Sequence, residues 1–89
     1  MGPAAARQAR DVVRNASTVV ALELLCAAQG LDFRTADGLT PGAGVAKAHR
    51  LVRAQVAHLD DDRDPQPDIA AAQELVGSGA VAALALRDA

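Results

Sequence analysis

The stretch VVALELLCAAQGLDFR, residues 19 to 34, decides the fold. Nearly every position from 19 to 28 is apolar, and a single acid, Glu23, interrupts the run. Because a helix turns by about 100° per residue, such a run places apolar groups on every face of a helix. A helix that is apolar all round is typically buried all round. The stretch therefore predicts a long helix that other chain must cover.

The composition predicts an all-α chain with little core material. Of the 89 residues, 51% are hydrophobic, but many of these are alanines, and Phe33 is the one aromatic residue. Alanine, leucine and arginine favour helices, whereas an alanine buries little apolar area. We expect one domain at most, whose helices pack closely and need partners to do so.

Apolar spacing and helix breakers predict one long N-terminal helix and two shorter ones. Pro3 suits the first helical turn, Gly30 suits the C-terminal cap of the first helix, and the acidic stretch 60–64 opposes the dipole at the end of the second. The predicted helices are residues 3–29, 43–59 and 67–76. The tail, residues 77–89, is either a last helical turn or an ordered extension.

Charge and hydropathy exclude several classes of function. The formal net charge of −2 gives no basic footprint for nucleic acid or an anionic membrane. The apolar run 19–28 is shorter than the roughly 20 residues that span a bilayer, and no apolar segment follows a basic start as in a signal peptide. We expect a soluble cytoplasmic protein with neither nucleic acid nor membrane as a partner.

The metal-ligating and nucleophilic residue types do not form a recognisable motif. His49 and His58 are nine residues apart, so on one helix they point about 180° from each other and cannot share a metal. The aspartates in 60–64 lack the glycine and the closing glutamate of a calcium loop. Cys26 cannot form an internal disulfide and is expected to pack in the core as a small hydrophobe.

Glu23 is the most informative single residue. A carboxylate inside an apolar run pairs across a helix interface, acts as a perturbed catalytic acid, or is simply exposed. Nothing in the sequence supplies the nucleophile or second acid that a catalytic role requires. The row Arg7, Arg10 and Arg14 is interpreted as a solvated face and not as a phosphate-binding stripe, because Asp11 lies among these residues. We predict no catalytic, cofactor-binding or metal-binding residue in this chain.

Four ordered segments resemble a known family. They are MGPAAAR at the start, VALELLCAAQGLDFR, TPGAG followed by VAKAHRLVR, and DDDRDPQPDIAAAQELV. In this order they are similar to the C-terminal part of bacterial histidine ammonia-lyases, members of the aromatic amino-acid ammonia-lyase family. The similarity covers residues 1 to about 80 and is less specific for the substrate, which could be histidine, tyrosine or phenylalanine.

The resemblance implies a helical fragment of a larger bundle fold, taken from an enzyme that converts L-histidine to urocanate and ammonia. Enzymes of this family are homotetramers with a shared central bundle, and they use a methylidene-imidazolone made from an Ala-Ser-Gly tripeptide. This chain has neither that tripeptide nor a tyrosine, since Ala16-Ser17 is followed by Thr18. The family's active-site glutamate precedes a Met-Gly that matches Met1-Gly2. The fragment alone is therefore expected to be inactive and to hold no cofactor.

The same resemblance implies a backbone role for the start of the first helix. Gly2, Pro3 and Ala4 would lie nearest the electrophile, where the positive end of the helix dipole favours negative charge. The expected partners are further copies of the chain or the remaining lyase chain. A freestanding helical oligomerisation or regulatory module without catalytic activity is the alternative hypothesis.

Overall fold

A computed structural model describes the backbone of residues 2–88 and the side chains of residues 2–86. Met1 of the opening motif and the last residue of the predicted tail lie outside the described residues. Within that part the chain forms helices and no strand, which confirms the predicted all-α class with a long N-terminal helix. The helices are α1 (Pro3–Ala36), α2 (Ala43–Gln55), α3 (Gln66–Gly77) and α4 (Ala80–Asp88).

Helix α1 continues past the end that the sequence predicted. Pro3 occupies the first turn as expected, but the helix runs through Gly30 and ends at Ala36. The capping glycine is Gly38, with φ +92°: its N–H donates to the carbonyl of Thr35 at 3.0 Å, and the N–H of Leu39 donates to that of Arg34 at 3.1 Å. A glycine inside a helix costs only about 1 kcal/mol. Leu31 and Asp32, which follow Gly30, are half-buried, and their contacts offset that cost.

Helix α2 ends earlier than predicted. Its last residue is Gln55, and Val56 adopts an extended conformation with φ −132° and ψ 118°. The acidic stretch 60–64 lies beyond this point, so it does not end the helix. Val56 is 3% exposed, and its change of direction places it in the core. The end of α2 therefore coincides with the burial of Val56. It does not coincide with the aspartates, whose charge was expected to oppose the helix dipole.

The C-terminal third of the chain holds two helices. Helix α3 lies within one residue of its predicted bounds at each end. Gly79 then adopts a positive φ of +80°, and the tail continues as α4. The tail is therefore a separate helix, which makes four helices where the sequence predicted three.

The core is small and lies where α1, α2 and α3 meet. Its central cluster consists of Ala28, Val52, Val56 and Leu75, with partly buried apolar neighbours packed against it, and Ala21 and Ala72 are buried as well. The accessible surface is 6385 Å², whereas a compact chain of 9.1 kDa exposes about 4,900 Å². The radius of gyration, 15.4 Å, likewise exceeds the roughly 12 Å of a compact domain. The N-terminal half of α1 extends away from the core, which accounts for both differences.

The apolar run in α1 is only partly covered within this chain, in line with the expectation that other chain must cover it. Ala21 and Ala28 are buried, but Val19, Val20 and Leu22 are 40–53% exposed. Cys26 is exposed as well, so it does not pack in the core. By length and composition α1 could cross a membrane, although the shorter run 19–28 alone could not. The core helix of a soluble protein passes the same test.

A polar cluster at Asp32

The side chain of Asp32 joins the last turns of α1 to α2 and to the segment after it. Its Oδ1 lies 2.5 Å from Nε2 of His49, and its Oδ2 lies 2.6 Å from Nδ1 of His58. Arg53 contacts the same Oδ2 through Nη2 at 2.6 Å and Nε at 3.1 Å. One carboxylate therefore accepts hydrogen bonds from three side chains that lie 17, 21 and 26 residues after it in the sequence.

The chemistry of the cluster fixes the protonation of its members. An ionised carboxylate only accepts hydrogen bonds, so His49 donates from Nε2 and His58 from Nδ1. Burial alone would raise the pKa of Asp32. The hydrogen bonds from His58, Arg53 and His49 and the charge of Arg53 outweigh burial and hold this pKa well below its usual range. Asp32 is therefore ionised at neutral pH.

Gln29, one turn before Asp32, extends the cluster along α1. Its Oε1 accepts from the N–H of Leu59 at 3.1 Å, and its Nε2 donates to the carbonyl of Leu59 at 2.9 Å. The same amide nitrogen lies 3.3 Å from Nε2 of His58. When the proton of the His58 ring lies on Nδ1 alone, its Nε2 accepts the second amide hydrogen of Gln29. The backbone after α2 is therefore held by two adjacent turns of α1.

Arg63 holds the same segment from the other side. Its Nη1 and Nη2 donate to the carbonyls of His58 and Ala57 at 3.1 and 2.7 Å, while its Nε donates to Oδ2 of Asp68 at 3.0 Å. Asp68 belongs to the first turn of α3. The guanidinium thus pairs the non-helical backbone between α2 and α3 with the start of α3.

This arrangement corrects the expectation for the two histidines. They were predicted to point in opposite directions, which requires both to lie on one helix. Because α2 ends at Gln55, the chain turns back, and His58 reaches the same carboxylate as His49. Sequence reasoning missed Asp32 and Arg53. The available signal was the four-residue spacing of His49 and Arg53, which places both on one face of α2.

The contacts of the cluster join separate elements of the fold. Within the described residues no serine, threonine or cysteine is hydrogen-bonded to either histidine, so the pairs lack a nucleophile. A guanidinium occupies the carboxylate where a cation would bind, and no group of three potential ligands in the described part of the chain could hold a metal. The cluster acts as an ionic tie between α1, α2 and the segment that follows.

Two apolar grooves flank the cluster. One, of about 280 Å³, lies between α1 and α2, with Arg34 and His49 among its lining residues. The other, of about 350 Å³, lies between α1 and the segment after α2, with Arg53 and Arg63 among its lining residues. Both are open to solvent and apolar in most of their lining.

The remaining candidates from the sequence lie outside the cluster. Glu23 is exposed and has no hydrogen-bond or ion-pair partner among the described residues. The arginine row of α1 is exposed, in line with a solvated face. Of the acidic stretch, Asp60 approaches Nε2 of His58 at 3.8 Å and is itself 86% exposed.

The fold and the cluster together define an all-α segment that has an internal polar tie and an uncovered helix, and that shows no assembled reaction centre in its described part. A family model for aromatic amino acid lyases matches residues 1–54, which include all of α1 and most of α2. The chain belongs to the aromatic amino acid lyase family.

Individual relatives narrow the resemblance. The chain is 43% identical over 79 residues to a histidine ammonia-lyase of Natranaerobius thermophilus, a match that covers 89% of this chain and 15% of the relative. The chain is 47% identical over 83 residues to the histidine ammonia-lyase of Sorangium cellulosum, a match that covers 93% of this chain and 16% of the relative. It is 51% identical over 69 residues to the histidine ammonia-lyase of Deinococcus radiodurans, a match that covers 78% of this chain and 13% of the relative. The chain thus spans about 15% of the length of these curated relatives. No solved structure matches it significantly.

Proposed function

We propose that this chain is the C-terminal, helical and assembly-forming part of a histidine ammonia-lyase, and that it supplies packing surface and not reacting groups. The observation that carries the proposal is α1, which lies wholly within the family match and leaves large apolar side chains exposed along its length. Contiguous exposed apolar surface of this kind is typical of protein interfaces. The partners we propose are further copies of the chain or the remaining lyase chain.

The proposal includes that the chain is inactive by itself. It contains neither an Ala-Ser-Gly tripeptide nor a tyrosine, so the family's electrophilic group cannot form from its residues. The polar groups that do converge, around Asp32, are engaged with one another. We therefore propose that the assembled lyase deaminates L-histidine and that this chain contributes packing surface to that assembly.

The start of α1 is consistent with the backbone role that the resemblance implies. Gly2 caps the helix without a side-chain hydrogen bond, and its carbonyl accepts from the N–H of Ala6 at 3.2 Å. The first turn carries no acidic side chain. The positive end of the helix dipole is therefore not compensated by its own first turn, which favours an anion nearby in the assembled protein.

Complementation of a truncated relative tests the proposal. The histidine ammonia-lyase of Deinococcus radiodurans, shortened to remove the segment that matches this chain, would be produced with and without the chain. We expect urocanate formation only when both are present. Val19→Asp should abolish the rescue by charging the exposed face of α1, whereas Val45→Asp, an equally exposed valine on α2, serves as the matched control. No rescue by a folded wild-type chain would contradict the proposal.

A second measurement tests the inactivity. The purified chain would be incubated with L-histidine, L-tyrosine or L-phenylalanine, and the conjugated acrylate products followed by their absorbance. We expect no turnover with any of the three amino acids. Turnover by the isolated chain would overturn the assignment of a purely structural role.

A freestanding oligomerisation or regulatory module is the second candidate. The observation that favours it is the internal tie at Asp32, because this gives residues 29–68 a folded arrangement that needs no other chain. Light scattering distinguishes the two. A sharp dimer or tetramer of the chain alone favours the module, and a monomer or a polydisperse species favours a lyase part that awaits its partners.

We also propose that the chain works in the cytoplasm and that protein, not lipid, covers α1. Two acids lie in the apolar part of this helix, Glu23 in the exposed face and Asp32 in the polar cluster. A charged side chain in hydrocarbon costs about 3 kcal/mol on insertion scales. Sedimentation of the chain with vesicles of neutral lipid should recover it in the supernatant.

A further inference from the structure

The exposed side of α1 forms one continuous surface, here called the open face. Its large apolar side chains are exposed by 40–66%. Between residues 12 and 22 they are Val12, Val13, Val19, Val20 and Leu22. At about 100° per residue these five lie within one half of the helix circumference. The open face is therefore a stripe along the helix and not a scatter of isolated residues.

The chain itself covers the opposite side of α1. The buried residues Ala21 and Ala28 each follow a valine of the open face, Val12 or Val19, by nine residues. Nine residues turn a helix by about 180°, so the buried and the exposed stripes are diametrically opposed. Helices α2 and α3 pack against the buried stripe, and nothing among the described residues packs on the open face.

The spacing along the open face is that of a helix–helix seam. Steps of four and three residues alternate through Ala5, Ala9, Val12, Ala16 and Val19, and after one gap the series resumes at Cys26. Apolar residues in this repeat pack knobs-into-holes against another helix, and small residues permit a close approach. The partner of the open face is therefore a long helix.

Glu23 occupies the gap in that series. It lies about 20° around the helix from Val12, near the middle of the open face. On its own helix the neighbours one turn away are Val19, Val20, Cys26 and Ala27, none of which is a cation or more than a weak hydrogen-bond donor. A helix seated on the open face would remove water from Glu23, which is costly unless the partner supplies a counter-charge.

The same face of another copy of this chain does not supply that charge. In a parallel pair in register, and in an antiparallel pair centred on residue 23, the two Glu23 carboxylates would face each other. In the other antiparallel registers Glu23 faces a seam residue that carries no positive charge. Arg10 and Arg14 lie at least about 140° around the helix from Glu23. Arg34 does lie on the side of the open face. In an antiparallel pair, however, placing it opposite Glu23 of another copy confines the overlap to approximately the last four turns and leaves Val12 uncovered.

From these relationships we infer that the open face binds a helix of different sequence, apolar and small along its seam, that carries a lysine or arginine opposite Glu23. The inference rests on the proposed assembly role and specifies the chemistry of the partner helix. Glu23 then selects the partner and fixes its register, since a polar residue at one seam position specifies both at a cost in stability. It also disfavours pairing of α1 with its own copy.

A variant of this chain with a cation in place of Glu23 tests the inference. Its α1 has the same apolar seam as wild type and differs only in the charge at residue 23. Wild type, Glu23→Lys and an equimolar mixture would be compared by sedimentation equilibrium, with helix content checked by circular dichroism. We expect a one-to-one complex in the mixture, at least about tenfold tighter than the self-association of either chain. Asp11→Lys changes the charge equally but lies about 120° around the helix from Glu23, at the edge of the open face. Its mixture with wild type should behave as wild type alone.

Two results would overturn the inference. One is self-association of wild type as tight as that of the mixture, which would make another copy the occupant. The other is a mixture with Glu23→Lys no tighter than the mixture with Asp11→Lys, which would mean that the open face does not require a cation. Both results leave the complementation of the truncated lyase unaffected, so failure here and failure of the proposed function are distinguishable.

Discussion

Asp32 and His58 are 26 residues apart in sequence and 2.6 Å apart in space, between the carboxylate Oδ2 and the ring Nδ1. This contact closes a loop that contains all of α2. It lies beside the small core of Ala28, Val52 and Val56, which offers little area to hold the helices together. The polar tie therefore carries a larger share of the tertiary structure than such contacts do in a domain with a large core.

We predict that Asp32→Asn destabilises the chain by about 2 kcal/mol, the value of hydrogen bonds to a charged group. Asparagine keeps the shape of the side chain but loses its charge. Its amide N–H₂ group would then face N–H groups of the histidines or of Arg53, which are themselves donors. The free energy of unfolding would be measured by urea denaturation at neutral pH. Asp37→Asn, at an exposed position after α1, is the control and should change stability little. Equal effects of the two substitutions would contradict a special role for Asp32.

The lowered pKa of Asp32 predicts a dependence of stability on pH. In the unfolded chain this carboxyl titrates near its ordinary value of 3.8, but in the folded chain it titrates lower. Above about pH 5 its contribution is complete, and from about pH 4 downward the unfolded state takes up a proton that the folded state refuses. Stability conferred by Asp32 is thus lost as the pH falls. The difference in unfolding free energy between wild type and Asp32→Asn should shrink there, and a constant difference would refute this.

The two hydrogen bonds of Gln29 to Leu59 predict a local effect on backbone dynamics. In Gln29→Ala the amide hydrogen of Leu59 should exchange with solvent much faster, because its acceptor is removed. Hydrogen exchange followed by NMR measures this residue directly. Gln73→Ala, which removes the hydrogen bond to Thr18 at the other end of the α1–α3 contact, should leave exchange at Leu59 unchanged. Unaltered exchange in Gln29→Ala would mean that other contacts hold this segment.

Two glycines of α1 and its cap should respond oppositely to alanine. Gly30 lies inside the helix with open space around its α-carbon, so Gly30→Ala should stabilise the chain by about 0.5–1 kcal/mol. Gly38 has φ +92°, so Gly38→Ala should destabilise it by about 1 kcal/mol or more. Thermal unfolding followed by circular dichroism compares the two. A stabilising Gly38→Ala would argue against the cap geometry.

The α-helical class, the long first helix and the lyase resemblance could be predicted from the sequence, because they depend on local properties. Alanine and leucine favour helices wherever they lie, and the apolar repeat of α1 is visible without coordinates. The bounds of α3 were predictable to within one residue because proline and glycine flank it.

The bounds of α1 and α2 depended on contacts between distant residues. Gly30 resembles a helix cap, yet the helix continues because Leu31 and Asp32 beyond it pack against the rest of the chain. Val56 leaves a favourable helical pattern because it is buried in the core as an extended residue. Local propensities differ by less than 1 kcal/mol per residue for ordinary residues, and tertiary contacts outweigh them.

The sequence by itself determined that residues 19–28 of α1 place apolar groups on every face of the helix and that Glu23 interrupts this run. Only the tertiary structure decided which side of the helix its own chain covers and which side remains open. The same holds for the polar cluster, since His49 and His58 meet at Asp32 only after α2 ends and the chain turns back. The physical reason is that helical spacing fixes directions within one helix, whereas packing between helices fixes which of those directions meet.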